Sequence, residues 1–217
     1  MKPTLFYCYD AYCGWCYGFS EVIKKVYSHF RDVLDFEVLS GGLILPDPPQ
    51  PIAVAAKFIR EGYIRVEELT GARFGEDYLW HVFNPEKSDW YPHSEKPAIA
   101  LCVFKEYFPE QQVSFAAGLQ YALHFEGRDL TDDAAYGPLL EKFNFPEGLF
   151  YENLADPKYK EQAHYEFALC KQLQVTGYPA VLIQVSELKF HLVARGYTPY
   201  EMLEERIDNV LKEISQS

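Results

Sequence analysis

This chain has no long apolar run, few cations, few cysteines and no paired metal-ligand motif, and each shortage closes a class of function. No stretch approaches the eighteen or so consecutive apolar residues that a membrane-spanning helix requires. Met1-Lys2-Pro3-Thr4 leads straight into an apolar run, without the basic segment, long apolar core and small-residue cleavage site of a secretory leader. Lys and Arg number 20 against 32 Asp and Glu, a net charge of −12. Phosphate backbones bind basic surfaces, so the charge argues against nucleic acid as a partner and reads as a solubility feature. The five cysteines, an odd number, suit a reducing compartment better than a secreted disulfide framework. The expectation is a cytoplasmic chain without membrane contact.

Metal ligands are equally sparse. A structural zinc site needs four nitrogen or sulfur ligands, usually as a second CxxC or an HxxxH pair. The six histidines (His29, His81, His93, His124, His164 and His191) form no such pair, and Cys8, Cys102 and Cys170 are widely scattered. No metal is expected.

What the chain does have is a thiol pair in a revealing place. Cys13-Gly14-Trp15-Cys16 follows a short apolar run, residues 5–9, and precedes a helical stretch, residues 17–30. A helix N-terminus leaves four backbone N–H groups unsatisfied and carries roughly half a positive charge, which favours an anion there. Cys13 is placed to be that anion, and a thiolate is the nucleophile of disulfide exchange. Cys16, one turn further on, faces the same way and can close a disulfide with it. Size and composition supply the frame: a chain of 217 residues with 17 Tyr and 16 Phe buries roughly 70% of its unfolded surface without covalent staples.

The pattern along the chain has two halves. Residues 5–9 read as a buried strand, Phe19, Val22, Ile23, Val26, Tyr27 and Phe30 recur at helical spacing, and residues 35–40 form a second strand ended by Gly41-Gly42. Strand, helix and strand with one crossover make a parallel βαβ unit. A proline-rich loop, residues 45–51, leads to helices over 52–69, 75–83, 94–108 and 115–126, with Ser94 as an N-cap and Thr131 capping a further stretch to Phe143. Asp156-Pro157 opens a helix to about Leu173. Pro179 then introduces strands over 180–185 and 190–194, and Pro199 starts a last amphipathic helix.

The order βαβ then αββα, with CxxC opening the first helix and a proline opening the third strand, resembles the thioredoxin fold. The helical block between the halves narrows this to the DsbA-like family of bacterial thiol-disulfide oxidoreductases and disulfide isomerases. Tyr12-Cys13-Gly14-Trp15-Cys16-Tyr17-Gly18-Phe19 and Val175-Thr176-Gly177-Tyr178-Pro179-Ala180 look like the matching motifs of that family. The resemblance implies an α/β thioredoxin-like domain of residues 1–45 and 156–217, with an all-helical insertion of residues 46–155. It implies Cys13 as nucleophile, Cys16 as resolving thiol, and substrate contacts from Gly14, Trp15, Tyr178 and a cis Pro179 facing the thiols. Strongly oxidising relatives carry Pro-His where this chain has Gly14-Trp15, so a reductase or isomerase role is expected. The expected partners are disulfide-containing proteins or small thiols and disulfides, with no bound cofactor and glutathione as a co-substrate. A glutathione-dependent isomerase or transferase, similar to 2-hydroxychromene-2-carboxylate isomerase and kappa-class glutathione transferases, is the alternative; those generally carry a single serine where this chain has Cys13.

Other residues point less sharply. Cys8, Cys102 and Cys170 read as small buried apolar side chains. Trp80, Trp90 and Tyr91 fit either a substrate groove or the core. His93 and Ser94 fit either substrate polarisation or a surface histidine beside a helix cap. Glu37 is a candidate buried acid moving protons to Cys16.

Overall fold

The computed structural model describes residues 2–216. Two strands near the N-terminus set its layout: β1 (Thr4–Tyr9) and β2 (Asp35–Ser40) run parallel, from Thr4 opposite Asp35 to Tyr9 opposite Ser40, joined by α1 (Gly14–Phe30). β3 (Ala180–Ser186) lies antiparallel on the other side of β1, with Ala180 opposite Cys8, and β4 (Lys189–Arg195) closes the order β2-β1-β3-β4. Seven helices lie between β2 and β3: α2 (Ala53–Thr70), α3 (Glu76–Phe83), α4 (Glu95–Tyr107), α5 (Gln112–His124), α6 (Gly137–Lys142), α7 (Glu147–Leu154) and α8 (Pro157–Gln172). α9 (Tyr200–Ser215) ends the described chain.

Alternation along the strands sends side chains to two faces. Leu5, Tyr7 and Tyr9 of β1 join Val38, Val181 and Ile183 in the main core, against Phe19, Ile23 and Val26 of α1 and Ile207 of α9. Cys8 points the other way, into a smaller cluster with Leu39, Cys170, Ala180 and Leu182. The main core continues without a break into the helical block. α4 is buried on every side over nine successive residues, Pro97 to Lys105, and Phe104 stacks on Phe115 of α5 at 3.9 Å between ring centres. A helix apolar all round belongs inside a core, which explains why α4 shows little amphipathic periodicity in the sequence.

Three local expectations change. The stretch to Phe143 is not one helix: the Thr131 hydroxyl bonds the Asp129 carboxylate, a 3₁₀ turn over Asp133–Ala135 follows, and Pro138 fits only the first turn of a new helix, α6. α7 is an added helix, entered at Pro146. Ser94 stands at the N-cap position of α4, but its hydroxyl makes no capping bond and turns elsewhere.

One ion cluster ties α4, α8 and β2 together. Lys105 Nζ, in a side chain only 7% exposed, bonds Glu166 Oε1, Glu37 Oε1 (2.6 Å) and the Val38 carbonyl (2.8 Å). The other Glu166 oxygen accepts the Ser40 N–H at 2.9 Å, and the Cys102 thiol donates to Oε1 at 3.4 Å. Removing one partner of a buried pair strands the other charge, so Lys105→Met is expected to cost about 3–5 kcal/mol of stability in urea unfolding. Lys105→Met combined with Glu166→Leu should recover most of that loss; a double variant no more stable than the single one would contradict the stranded-charge account.

Candidate functional site

The thiols sit where β1 ends and α1 begins. The Cys13 N–H donates to the Asp10 carbonyl (3.1 Å), which closes a tight turn, and Cys13 occupies the N-cap of α1 with φ −82° and ψ 108°. Its sulfur accepts the Cys16 N–H at 3.2 Å, taking the place of a capping hydroxyl. The same thiol lies 3.6 Å from the Tyr178 carbonyl, to which it can donate. Cys13 is 7% exposed and Cys16 fully buried; both are free thiols. Burial pushes the Cys16 thiol well above the ordinary thiol range, and the adjacent Cys13 sulfur adds to the shift.

The Tyr178–Pro179 peptide is cis. The Tyr178 hydroxyl donates to the Gly41 carbonyl at 2.8 Å, and the Pro179 carbonyl accepts the Gly196 N–H at 2.7 Å. The Tyr178 ring lies so close to Gly41 that a Cβ there would come within 2.0 Å of it. Glycine at 41 therefore lets Tyr178 lie flat across the end of β2 and present its carbonyl to Cys13. Gly14 packs beneath the Phe74 ring, and Trp15 is half-buried against the core.

Behind the thiols lies an acid that the sequence reading did not single out. The Asp10 carboxylate, 1% exposed, accepts the N–H groups of Tyr12 (3.0 Å) and Leu43 (2.8 Å) and the Ser94 hydroxyl (3.0 Å). Burial raises its pKa, making it a weaker acid, while these hydrogen bonds work against that shift. The signal available in the sequence was an aspartate breaking the apolar run three residues before Cys13. Glu37, the acid the sequence reading nominated, does not serve the thiols: it lies opposite Phe6 in the first half of β2 and pairs with Lys105.

The remaining candidates fall into structural places. Cys8, Cys102 and Cys170 are all buried. Trp90 is core, stacked on His81 at 4.0 Å, whereas Trp80 and Tyr91 are surface aromatics. His93 Nδ1 accepts the Glu95 N–H, and Ser94 bridges Asp10 and the Ile44 N–H. Among the described residues no group of three or more His, Cys, Asp or Glu side chains is arranged to hold a metal, and no helix is long and apolar enough to cross a membrane.

The strand order, the helical block and the thiols at the head of α1 define a DsbA-like thioredoxin fold. A proposed protein disulfide isomerase from Nitrosomonas europaea superposes with a TM-score of 0.82 at 23% identity, over 98% of this chain and 99% of that one. The cytosolic disulfide reductase DsbM from Pseudomonas aeruginosa gives 0.78 at 22% identity, over 96% and 98%; the same protein has also been solved with GSH. A 2-hydroxychromene-2-carboxylate isomerase gives 0.66 at 11% identity, over 98% of each chain. No protein-family model and no curated protein matches the sequence.

Tyr17, next to Cys16, stacks on the buried ring of His124 at 5.0 Å, with Phe74 and Tyr78 closing the cage. Burial lowers the His124 pKa from 6.5 to about 4. Between those values the unfolded chain binds more protons, so this contribution to stability is complete above pH 6.5 and is lost as the pH falls toward 4. The loss amounts to about 3 kcal/mol at 1.36 kcal/mol per unit. Urea midpoints measured from pH 7 to 4 should fall steeply for the wild type and less for His124→Phe; parallel profiles would show that His124 is not the titrating group.

Proposed function

We propose that the protein is a thiol-disulfide oxidoreductase working as a reductase or isomerase through Cys13 and Cys16. The observation that carries the reading is the Cys13 sulfur itself: it caps α1, accepts the Cys16 N–H, and faces the backbone carbonyl that precedes Pro179. A thiolate there attacks one sulfur of a disulfide; a bond forms from Cys13 to that sulfur, and the other leaves as a thiolate and takes up a proton. Cys16 then loses its proton and attacks the Cys13 sulfur, releasing the second thiol and closing the internal disulfide. Two glutathione molecules restore the dithiol and leave as one oxidised glutathione.

Gly14, Trp15, Tyr178 and Pro179 form the proposed substrate platform. Pro179 has no N–H, so Tyr178 supplies the backbone groups that an extended disulfide-bearing segment would pair with. Disulfide-containing proteins, small disulfides and glutathione are the proposed partners, with no bound cofactor, and the cytoplasm the proposed location. The similarity to a cytosolic reductase, itself solved with GSH, supports both points. The isomerase likeness is one of fold; retention of both thiols favours disulfide exchange.

Cys16→Ser keeps the nucleophile but cannot resolve a mixed disulfide. It is expected to accumulate adducts with glutathione or protein thiols, seen by intact mass and removed by dithiothreitol. Cys13→Ser, left with the buried thiol alone, should trap little and reduce nothing. If both single variants turn over a non-disulfide substrate fully and neither traps a partner, the oxidoreductase reading is wrong.

A further inference from the structure

One face of the sheet is covered unevenly. α8 packs on its β2 side, where Glu166 accepts the Ser40 N–H and the Cys170 thiol donates to the Ser40 carbonyl at 3.7 Å. The β4 side is open. There Leu192 lies opposite Leu182 and Phe190 opposite Gln184, so both side chains share that face, and Leu192 is 57% exposed. With Leu173 and Val175, just beyond the end of α8, they line a groove of about 340 Å³.

The upper rim of the groove is cationic. Arg195, opposite Ala180, donates from its guanidinium to the Thr176 hydroxyl at 2.6 Å. It has no carboxylate partner among the described residues, although acids outnumber bases 32 to 20 in the chain. One hydroxyl leaves most of a guanidinium's donors free, and a carboxylate matches their fork. This rim also adjoins the thiols. Gly196 donates to the Pro179 carbonyl at 2.7 Å, and Thr176 stands two residues before Tyr178, whose carbonyl lies 3.6 Å from the Cys13 sulfur. Gly177, between them, is required neither by a left-handed backbone nor by crowding, since a Cβ there would meet nothing within 4 Å. Glycine costs conformational entropy, and close approach of a second chain is a use that offsets it.

Resting on the function proposed above, we infer that this groove is a specificity subsite for polypeptide disulfides. Arg195 pairs with an acidic side chain near the substrate cysteine, and Leu182, Phe190 and Leu192 seat an apolar side chain further along. In an extended chain residues two apart share a face, so the acidic and apolar residues are two apart. Glutathione brings carboxylates but no apolar side chain, and leaves the floor unfilled. The occupant is a polypeptide.

The test uses the reduced wild-type protein, Arg195→Gln and Leu192→Ser. Each is mixed with the peptide Leu-Ala-Glu-Ala-Cys or the reverse order, its cysteine activated as a 2-pyridyl disulfide, and with versions carrying Gln for Glu or Ser for Leu. The Cys13 thiolate bonds the peptide sulfur, the S–S bond breaks, and the pyridine thiolate leaves and takes up a proton as the absorbing thione. In one chain order the wild type should react about fivefold faster with Glu than with Gln, the most an exposed ion pair supplies. It should react about tenfold faster with Leu than with Ser. Arg195→Gln should lose the first ratio and keep the second; Leu192→Ser should do the reverse. Ratios taken within one protein are independent of how much of it is folded. Wild-type ratios near one in both orders, or ratios that neither substitution moves, would overturn the groove assignment. A preference for Glu without one for Leu, with reduction of glutathione disulfide equally dependent on Arg195, would overturn the polypeptide occupant. Thione release no faster than that of Cys13→Ser with every peptide would instead overturn the function beneath it.

Discussion

The structure turns on one buried carboxylate. Asp10 gathers donors from three segments remote in sequence: the thiol turn (Tyr12), the loop after β2 (Leu43) and the start of α4 (Ser94). Its own carbonyl holds the Cys13 N–H and accepts from Gln120 of α5. A buried acid with every oxygen engaged fixes whatever donates to it, because losing any donor leaves part of the carboxylate unsatisfied in a low-dielectric interior. Sheet, thiol turn and helical block are thereby held in one arrangement. The position of Cys13 is a consequence.

From that constraint follows the difference between the thiols. Cys13 lies at the N-terminal end of α1, where unsatisfied N–H groups favour an anion, and it meets the backbone of Tyr178 just ahead of β3, the strand paired with β1. Cys16, one turn deeper, is sealed by β1 and α1, and burial keeps it protonated. A shallow sulfur at the N-cap and a fully buried one a turn deeper make an asymmetric pair, produced by a three-residue spacing on a helix rather than by different chemistry.

Much of this was legible in the sequence, for identifiable reasons. The first and third strands are short apolar runs, α1 and α9 carry helical periodicity, α8 opens on the Asp156-Pro157 cap, and the thiol pair and the Tyr178-Pro179 dipeptide are local signals. Less legible were features that depend on tertiary neighbours. The buried face of α4 has no period to detect because the whole helix is interior. Ser94 has the identity of a cap, but Asp10 competes for its hydroxyl and wins. In one dimension Glu37 and Asp10 are both acids in or beside an apolar strand; only the register, which puts Glu37 opposite Phe6 and Asp10 at the thiol turn, separates them. The need for glycine at 41 comes from a tyrosine 137 residues away.

The most direct test of the account is a redox titration of the wild-type protein in glutathione buffers, followed by intact mass and by Trp15 fluorescence. The account expects one reversible two-electron transition, with loss of two hydrogens on oxidation, no adduct at equilibrium, and a pair that is mostly reduced at the glutathione poise of a cytosol. A protein that holds only a persistent Cys13–glutathione adduct across the buffers, or never closes the Cys13–Cys16 bond, would contradict it.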